Sequence, residues 1–206
     1  MKRMYKHIVF DVDGTLIDTE YAVLHSLKDL LKEEYNRDYK IEELEFALGI
    51  TGEAAIKQLE ISDIERTVDL WNDKLNKYKE SVCVFNGIEE LLKVLSQNHK
   101  LGIVTSKTKE EFEEEVTHFG LNKYFGVIIC ADDTEKHKPN PKPLLKYMEL
   151  ANAKNKETIY IGDSIYDMQC AKASKVDFAF AKWGNKRQNI EAKYTLSQPS
   201  ELFNWI

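Results

Sequence analysis

The sequence predicts a doubly wound α/β fold, a Rossmann-like parallel sheet between helices, carrying a small helical insert after its first strand. Three observations predict it. Five short apolar runs, most of them rich in β-branched or aromatic residues, fall at 7–11, 101–105, 127–130, 158–163 and 176–181. Most are continuously apolar rather than alternating, the mark of strands buried on both faces, and helical patterns separate the last four. Roughly ninety residues lie between the first run and the second, far more than one crossover helix needs.

The helices follow in order. In the insert, residues 20–35 form an amphipathic helix with Leu24, Leu27, Leu31 and Tyr35 aligned, and 41–48, 53–59 and 62–78 also read as helical. Ile88, Leu91, Leu92 and Leu95 follow helix spacing, with Asn86 and Glu89 placed like a capping pair. Residues 108–119 are acidic early, as suits the positive end of a helix, and set Phe112, Val116 and Phe119 on one side. Residues 143–150 and 165–173 supply two more helices. The expected organisation is a core over 1–18 and 83–206 and a helical cap over 19–82.

Bulk properties narrow the function. At 206 residues and 43% hydrophobic, the chain is long and apolar enough to bury a core. Its net charge of -6 repels nucleic-acid backbones, so an anionic substrate requires locally concentrated positive charge. The basic start Met1-Lys2-Arg3 is followed by Ile8-Val9-Phe10, which Asp11 and Asp13 cut too short for a signal peptide. No run approaches the length of a membrane span. Cys83, Cys130 and Cys170 form no CxxC pair and read as buried, reduced thiols. A cytoplasmic protein is expected, with no membrane or nucleic-acid partner; monomer and dimer are equally compatible with the sequence.

In open α/β sheets ligands bind at the carboxyl ends of the strands. Four distinctive sequences fall there: Asp11-Val12-Asp13-Gly14-Thr15, then Thr105-Ser106, then Lys138-Pro139-Asn140-Pro141, then Gly162-Asp163-Ser164 with Asp167 one turn on. Asp11, Asp13, Asp163 and Asp167 would crowd together, and clustered carboxylates are costly unless a cation neutralises them. Oxygen ligands suit a hard ion, and magnesium is the natural choice because it keeps several waters and bridges to phosphate. Lys138, the Thr105 hydroxyl and amides near Gly14 and Ser106 are placed to hold phosphate oxygens.

These four motifs, in this order and spanning the chain, resemble those of the haloacid dehalogenase superfamily. Within it the resemblance is to phosphoglycolate phosphatase, β-phosphoglucomutase and related small phosphatases with a helical cap. Asp11-Val12-Asp13-Gly14-Thr15-Leu16 matches the first motif, Thr105 the second, Lys138 the third, and Gly162-Asp163-Ser164 with Asp167 the fourth. The resemblance implies that Asp11 attacks phosphorus and becomes an aspartyl phosphate. It implies that Asp13 protonates the leaving alcohol and then deprotonates water. It further implies magnesium on Asp11, the Asp13 main-chain carbonyl and Asp163, phosphate on Gly14, Thr15, Thr105, Ser106 and Lys138, and supporting roles for Ser164 and Asp167. Asp13 speaks against dehalogenase chemistry, because a departing halide needs no proton.

The cap loop Leu48-Gly49-Ile50-Thr51-Gly52 reads equally as a plain turn or as a substrate contact through Gly49, Thr51 and Gly52. Its lack of Arg or Lys weakens a phosphomutase reading. The substrate is expected to be a small phosphorylated metabolite such as phosphoglycolate, a sugar phosphate or a nucleotide. Inorganic pyrophosphate is a variant, and a phosphate-binding regulatory module is the non-enzyme rival. Other residues read as structural: Asp132 and Asp133 as loop or capping acids, His137 as a surface histidine, and 110–115 as a solvated helix face. Trp71, Tyr78 and Phe85 read as packing within the cap, and Tyr166 is a weaker candidate for the site entrance.

Overall fold

The computed structural model describes residues 5–185 and 189–205, so the basic start Met1-Lys2-Arg3 lies outside the described residues. In chain order the elements are β1 (His7–Phe10), β2 (Ile17–Asp18), α1 (Glu20–Tyr35), α2 (Gly52–Gln58), α3 (Ile64–Leu75), β3 (Cys83–Val84), α4 (Ile88–Leu95), β4 (Lys100–Val104), α5 (Lys109–Phe112), β5 (Val127–Ile129), α6 (Lys142–Leu150), β6 (Thr158–Gly162), α7 (Ile165–Ala173), β7 (Asp177–Ala181) and β8 (Tyr194–Leu196). Six strands form one sheet in the order β5-β4-β1-β6-β7-β8, and every neighbouring pair is parallel.

The continuous apolar runs are explained by what covers each face. Side chains alternate across a strand. Ile8 and Phe10 of β1 and Ile159 and Ile161 of β6 join one core with Leu91 and Leu92 of α4 and Phe112 of α5. Val9 and Tyr160, between them, join a second core with Leu144 and Tyr147 of α6 and Cys170 of α7. Both faces are therefore dry, and each fully buried aliphatic side chain contributes ~1.5–3 kcal/mol.

The long first connection builds a third apolar cluster from Leu24, Leu27, Leu30 and Leu31 of α1, Ala55 and Ile56 of α2, and Trp71 of α3. The Trp71 indole also donates to Ser26 Oγ at 2.8 Å, so its one polar atom is satisfied inside that cluster. At the neck, β2 and β3 pair antiparallel, Ile17 with Val84 and Asp18 with Cys83. The outgoing and returning chains are thus tied side by side.

Several local expectations are corrected. The N-cap of α4 is Gly87, with no side-chain cap from Asn86. The helical pattern over 41–48 is a 3-10 turn, Ile41–Ala47, and that over 62–78 breaks into α3 and a 3-10 turn, Asn76–Ser81. Phe85 packs on the sheet core rather than on the cap cluster, whereas Tyr78 stays within the insert as expected, against Tyr21 and donating to Asp29 on α1 at 2.5 Å. Cys83 is exposed, whereas Cys130 and Cys170 are buried. The strand β8 is unforeseen; it holds three residues, too few for a pattern. Among the described residues no helix is long and apolar enough to cross a membrane.

Gly102 shows how tightly the second core is packed. A Cβ there would lie 1.9 Å from Cε2 of Tyr147, in the middle of β4. Gly102→Ala is expected to destabilise the protein by ~1–3 kcal/mol in urea unfolding, the usual range for overpacking. In a Tyr147→Leu background the same change is expected to cost much less; equal costs in both backgrounds would show that the ring is not the obstacle.

Candidate active site

Strand register gathers the site. Phe10 stands level with Ile103 and Ile161, so Asp11 emerges at the rim, where its amide donates to the Ile161 carbonyl at 2.9 Å. From β1 the chain builds β4 and β5 on one side and then crosses to β6 on the other, which opens a crevice at the carboxyl end of β1. Asp163 follows β6 directly. Gly14, with φ of 69°, closes the first loop against it: a Cβ on Gly14 would sit 2.2 Å from Asp163 Oδ2.

Lys138 is the centre of the buried part. Its ammonium lies 2.8 Å from Asp11 Oδ1, 2.7 Å from Asp167 Oδ1 and 3.3 Å from the Tyr160 hydroxyl. Burial lowers its proton affinity, but Asp11 and Asp167 more than reverse this and hold the lysine charged. Asp167 Oδ2 accepts from the amide of Ser164 at 3.1 Å and its hydroxyl at 2.5 Å, while Oδ1 also faces the Tyr160 hydroxyl at 2.9 Å. Asp167 therefore has its lone pairs committed. Ser164 is the N-cap of α7 and forms with Asp167 a reciprocal capping box, which fixes that carboxylate on the helix start.

Asp11 Oδ2, by contrast, is buried without a hydrogen-bond partner. Asp163 is also buried, and its carboxyl is raised well above the usual range, first by burial and then by Asp167 and Asp11. Oxygens of Asp11, Asp163 and Asp167 all lie within 4.8 Å of one another. Three carboxylates against one ammonium leave two negative charges unbalanced. That excess and the oxygen-only donor set fit a small, hard divalent cation held by Asp11 and Asp163.

A second charged knot surrounds Asp13. Its Oδ1 accepts from the Thr19 hydroxyl at 2.8 Å and lies 3.0 Å from the Lys107 ammonium. Lys107 is also 2.8 Å from Glu115 Oε2, in an ion pair whose approach is off the hydrogen-bond direction. Asp11, Asp13 and Asp163 line a cavity of about 80 Å³, together with Gly14, Ser106 and Gly184 from the core and Val23, Leu48, Ile50, Trp71 and Leu75 from the insert. Among the described lining residues, Lys107 is the single cation. The insert rests directly on the core: the Ser106 hydroxyl donates to the Gly49 carbonyl at 3.0 Å, and Tyr166 reaches the Phe46 carbonyl at 3.5 Å.

The expected site residues divide. Gly14, Ser106, Gly49 and Gly52 line the cavity beside the three aspartates. Thr15 does not; its hydroxyl is buried without a partner, and its carbonyl accepts from the Trp183 indole at 2.9 Å. Thr105 follows β4 at the rim but is buried and does not line the cavity; its hydroxyl accepts from the Lys107 amide at 3.2 Å. Thr51 caps α2 through Ala54 rather than facing the cavity, and the Ser106 hydroxyl is committed to the Gly49 carbonyl. Asp132 and Asp133 do act as caps, on the amides of Lys109 and Cys130.

Thr19, Lys107, Glu115, Trp71 and Asn72 are site neighbours that sequence reasoning missed. The signal for Lys107 was its place two residues after Thr105. The signal for Thr19 was its place at the edge of the insert. Glu115 is no solvated acid: it is partly buried and paired, and Trp71 both packs the cap cluster and lines the cavity.

The chain is similar to known proteins along most of its length. The sequence profile of haloacid dehalogenase-like hydrolases matches residues 8–181. The chain belongs to that family. It is a phosphatase of the family, and the motif order read from the sequence falls on one rim of its sheet. It is 32% identical over 205 residues to pyrophosphatase PpaX of Halalkalibacterium halodurans, covering 97% of this chain and 95% of that one. It is 29% identical over 204 residues to pyrophosphatase PpaX of Bacillus mycoides, covering 95% and 94%. Among solved structures, a putative phosphoglycolate phosphatase from Lactobacillus plantarum superposes with a TM-score of 0.88 at 28% identity, over 98% of this chain and all of that one.

The Asp11 carboxyl is pushed up to about 7, first by burial and then by the Asp167 charge. A raised carboxyl means the folded state holds its proton more tightly than the unfolded one. Stability is therefore lost as pH rises from 3.8 through about 7, and the loss is complete above that. In the presence of a chelator, Asp11→Asn is expected to be more stable than the parent at about pH 8, with the advantage shrinking toward about pH 4. Parallel thermal melts check this, and an advantage that does not change with pH would contradict it.

Proposed function

We propose that this phosphatase hydrolyses small phosphate esters with magnesium, through a phosphoaspartate formed on Asp11 and with Asp13 as proton donor and acceptor. The observation that carries the reading is the split in Asp11: Oδ1 is held by Lys138, while Oδ2 is buried without a partner in a residue that lines the cavity. A nucleophile needs one oxygen anchored and the other free. Asp11, the main-chain carbonyl of Asp13, and Asp163 would hold the magnesium, which when bound supplies positive charge to phosphoryl oxygens.

Each step is assigned to residues of the chain. Asp11 forms a bond to phosphorus as the bond to the leaving oxygen breaks. Asp13 gives that oxygen its proton. Asp13, now ionised, takes a proton from water, which attacks the phosphoaspartate, releases phosphate and restores Asp11. Lys138 and Thr105 steady the phosphoryl group, and Asp167 steadies Lys138 through the contacts described above. The insert, residues 19–82, acts as a cap that keeps bulk water from the reacting atoms. Oxygen-only coordination, the acidic rim and the small cavity all favour compact substrates.

Inorganic pyrophosphate is the second reading. Two observations favour it: relatives about 30% identical are named pyrophosphatase, and one cation, Lys107, stands in the leaving-group cavity. A competing fact is that Lys107 already faces Asp13 and Glu115, so an anionic leaving group must share it. A panel of pyrophosphate, phosphoglycolate, sugar phosphates and nucleoside monophosphates, ranked by kcat/KM with magnesium, separates these substrates.

Asp11→Asn, or a chelator added to the parent protein, is expected to reduce phosphate release to background on every substrate of the panel. Full turnover by the Asp11→Asn protein would remove the nucleophile, and full turnover under chelation would remove the metal.

A further inference from the structure

The helix that starts at the Thr108 cap does not continue as a regular α-helix. After α5 it widens into a π-turn over Glu113–Thr117, and the helix then ends on left-handed Gly120, with the Leu121 amide on the Val116 carbonyl at 3.3 Å. A π-turn inserts an extra residue and changes which side chains share a face, and such turns are frequent at functional sites. Here Glu113 and Glu114 stand in solvent, Val116 is fully buried in the sheet core, and Glu115 turns to Lys107.

The consequence is a chain of contacts ending at Asp13. Glu115 holds the Lys107 ammonium from one side and Asp13 Oδ1 holds it from the other; the lysine side chain is only 10% exposed. Thr19 donates to the same Oδ1. Both partners therefore bear on one oxygen of Asp13, and its second oxygen is the one left to face a leaving group. Lysine has a long, mobile stem, and Glu115 is the second anchor that keeps its ammonium beside Asp13 rather than out in the cavity it lines.

We propose that Glu115, brought inward by the π-turn, is a positioning residue that acts through Lys107 to aim Asp13 at the leaving oxygen. This rests on the reading of Asp13 as proton donor given above. In the assisted step the bond from phosphorus to the leaving oxygen breaks, phosphorus bonds to Asp11, and the proton passes from the second Asp13 oxygen to the departing alkoxide.

The test uses the dependence of the step on its leaving group. Glu115→Gln, Glu115→Asp and Lys107→Met are made in the full chain and assayed with magnesium. The readout is kcat/KM on an alkyl phosphate, whose alkoxide needs a proton to depart, and on p-nitrophenyl phosphate, whose leaving group does not. kcat/KM covers the steps up to loss of the leaving group, so later hydrolysis of the phosphoaspartate does not mask the effect. The expected result is a fall on the alkyl ester at least about ten-fold larger than on the aryl ester, within the range a positioned acid supplies. Equal losses on both esters, or no loss on either, would overturn the proposal and leave Glu115 a structural ion pair. Where Lys107→Met does not fold, the two Glu115 variants decide the matter. Asp13→Asn is the control: if it too shows no leaving-group dependence, the failure belongs to the reading of Asp13 and not to Glu115.

Discussion

The buried ammonium of Lys138, held between Asp11 and Asp167, is the constraint on which the rest of the site depends. A lysine that is this deeply buried survives as a cation only because two carboxylates face it. In turn it neutralises one oxygen of Asp11 and fixes Asp167. The Ser164 capping box ties that knot to the first turn of α7, and Tyr160 ties it to β6. Strand, helix and loop therefore share one electrostatic bond set, and displacement of any of them would strand a charge in a dry interior.

The same knot carries an unbalanced charge. Asp11 and Asp163 are crowded against Asp167 with too little positive charge to match them, and burial raises the carboxyls of both. Such an arrangement is poor for stability and good for binding a cation. The cost is borne by well-packed surroundings: two dry cores flank the sheet directly beneath it. The insert adds apolar residues to the cavity wall, Leu48, Ile50 and Trp71 among them, and its loop sits on Ser106.

Asp13 differs from its neighbour Asp11 in kind. It stands at the cavity with a single oxygen held, by the hydroxyl of Thr19 six residues on and by the ammonium of Lys107 beyond β4. A carboxyl partly open to the cavity suits proton exchange, whereas the deeply held Asp11 suits covalent chemistry. The two roles proposed for this short motif rest on that difference in depth and partners.

By itself the sequence determined the sheet core, the position of the insert and the rim motifs. Continuous apolar runs such as Ile8-Val9-Phe10 report burial on two faces, and Asp11, Lys138 and Asp163 stand at their ends in a recognisable order. These are local signals, legible because strand periodicity and motif spacing act over a few residues. Only the tertiary structure decided which face Glu115 takes, since one extra residue in a helical turn redirects everything after it. It also decided that Thr19, Trp71 and Lys107 meet at Asp13's side of the cavity, that Thr51 is spent on a helix cap, and that Asp167 has no oxygen to spare. Those outcomes depend on how separate elements pack and on which partner reaches a polar atom first, and no short stretch of chain encodes either.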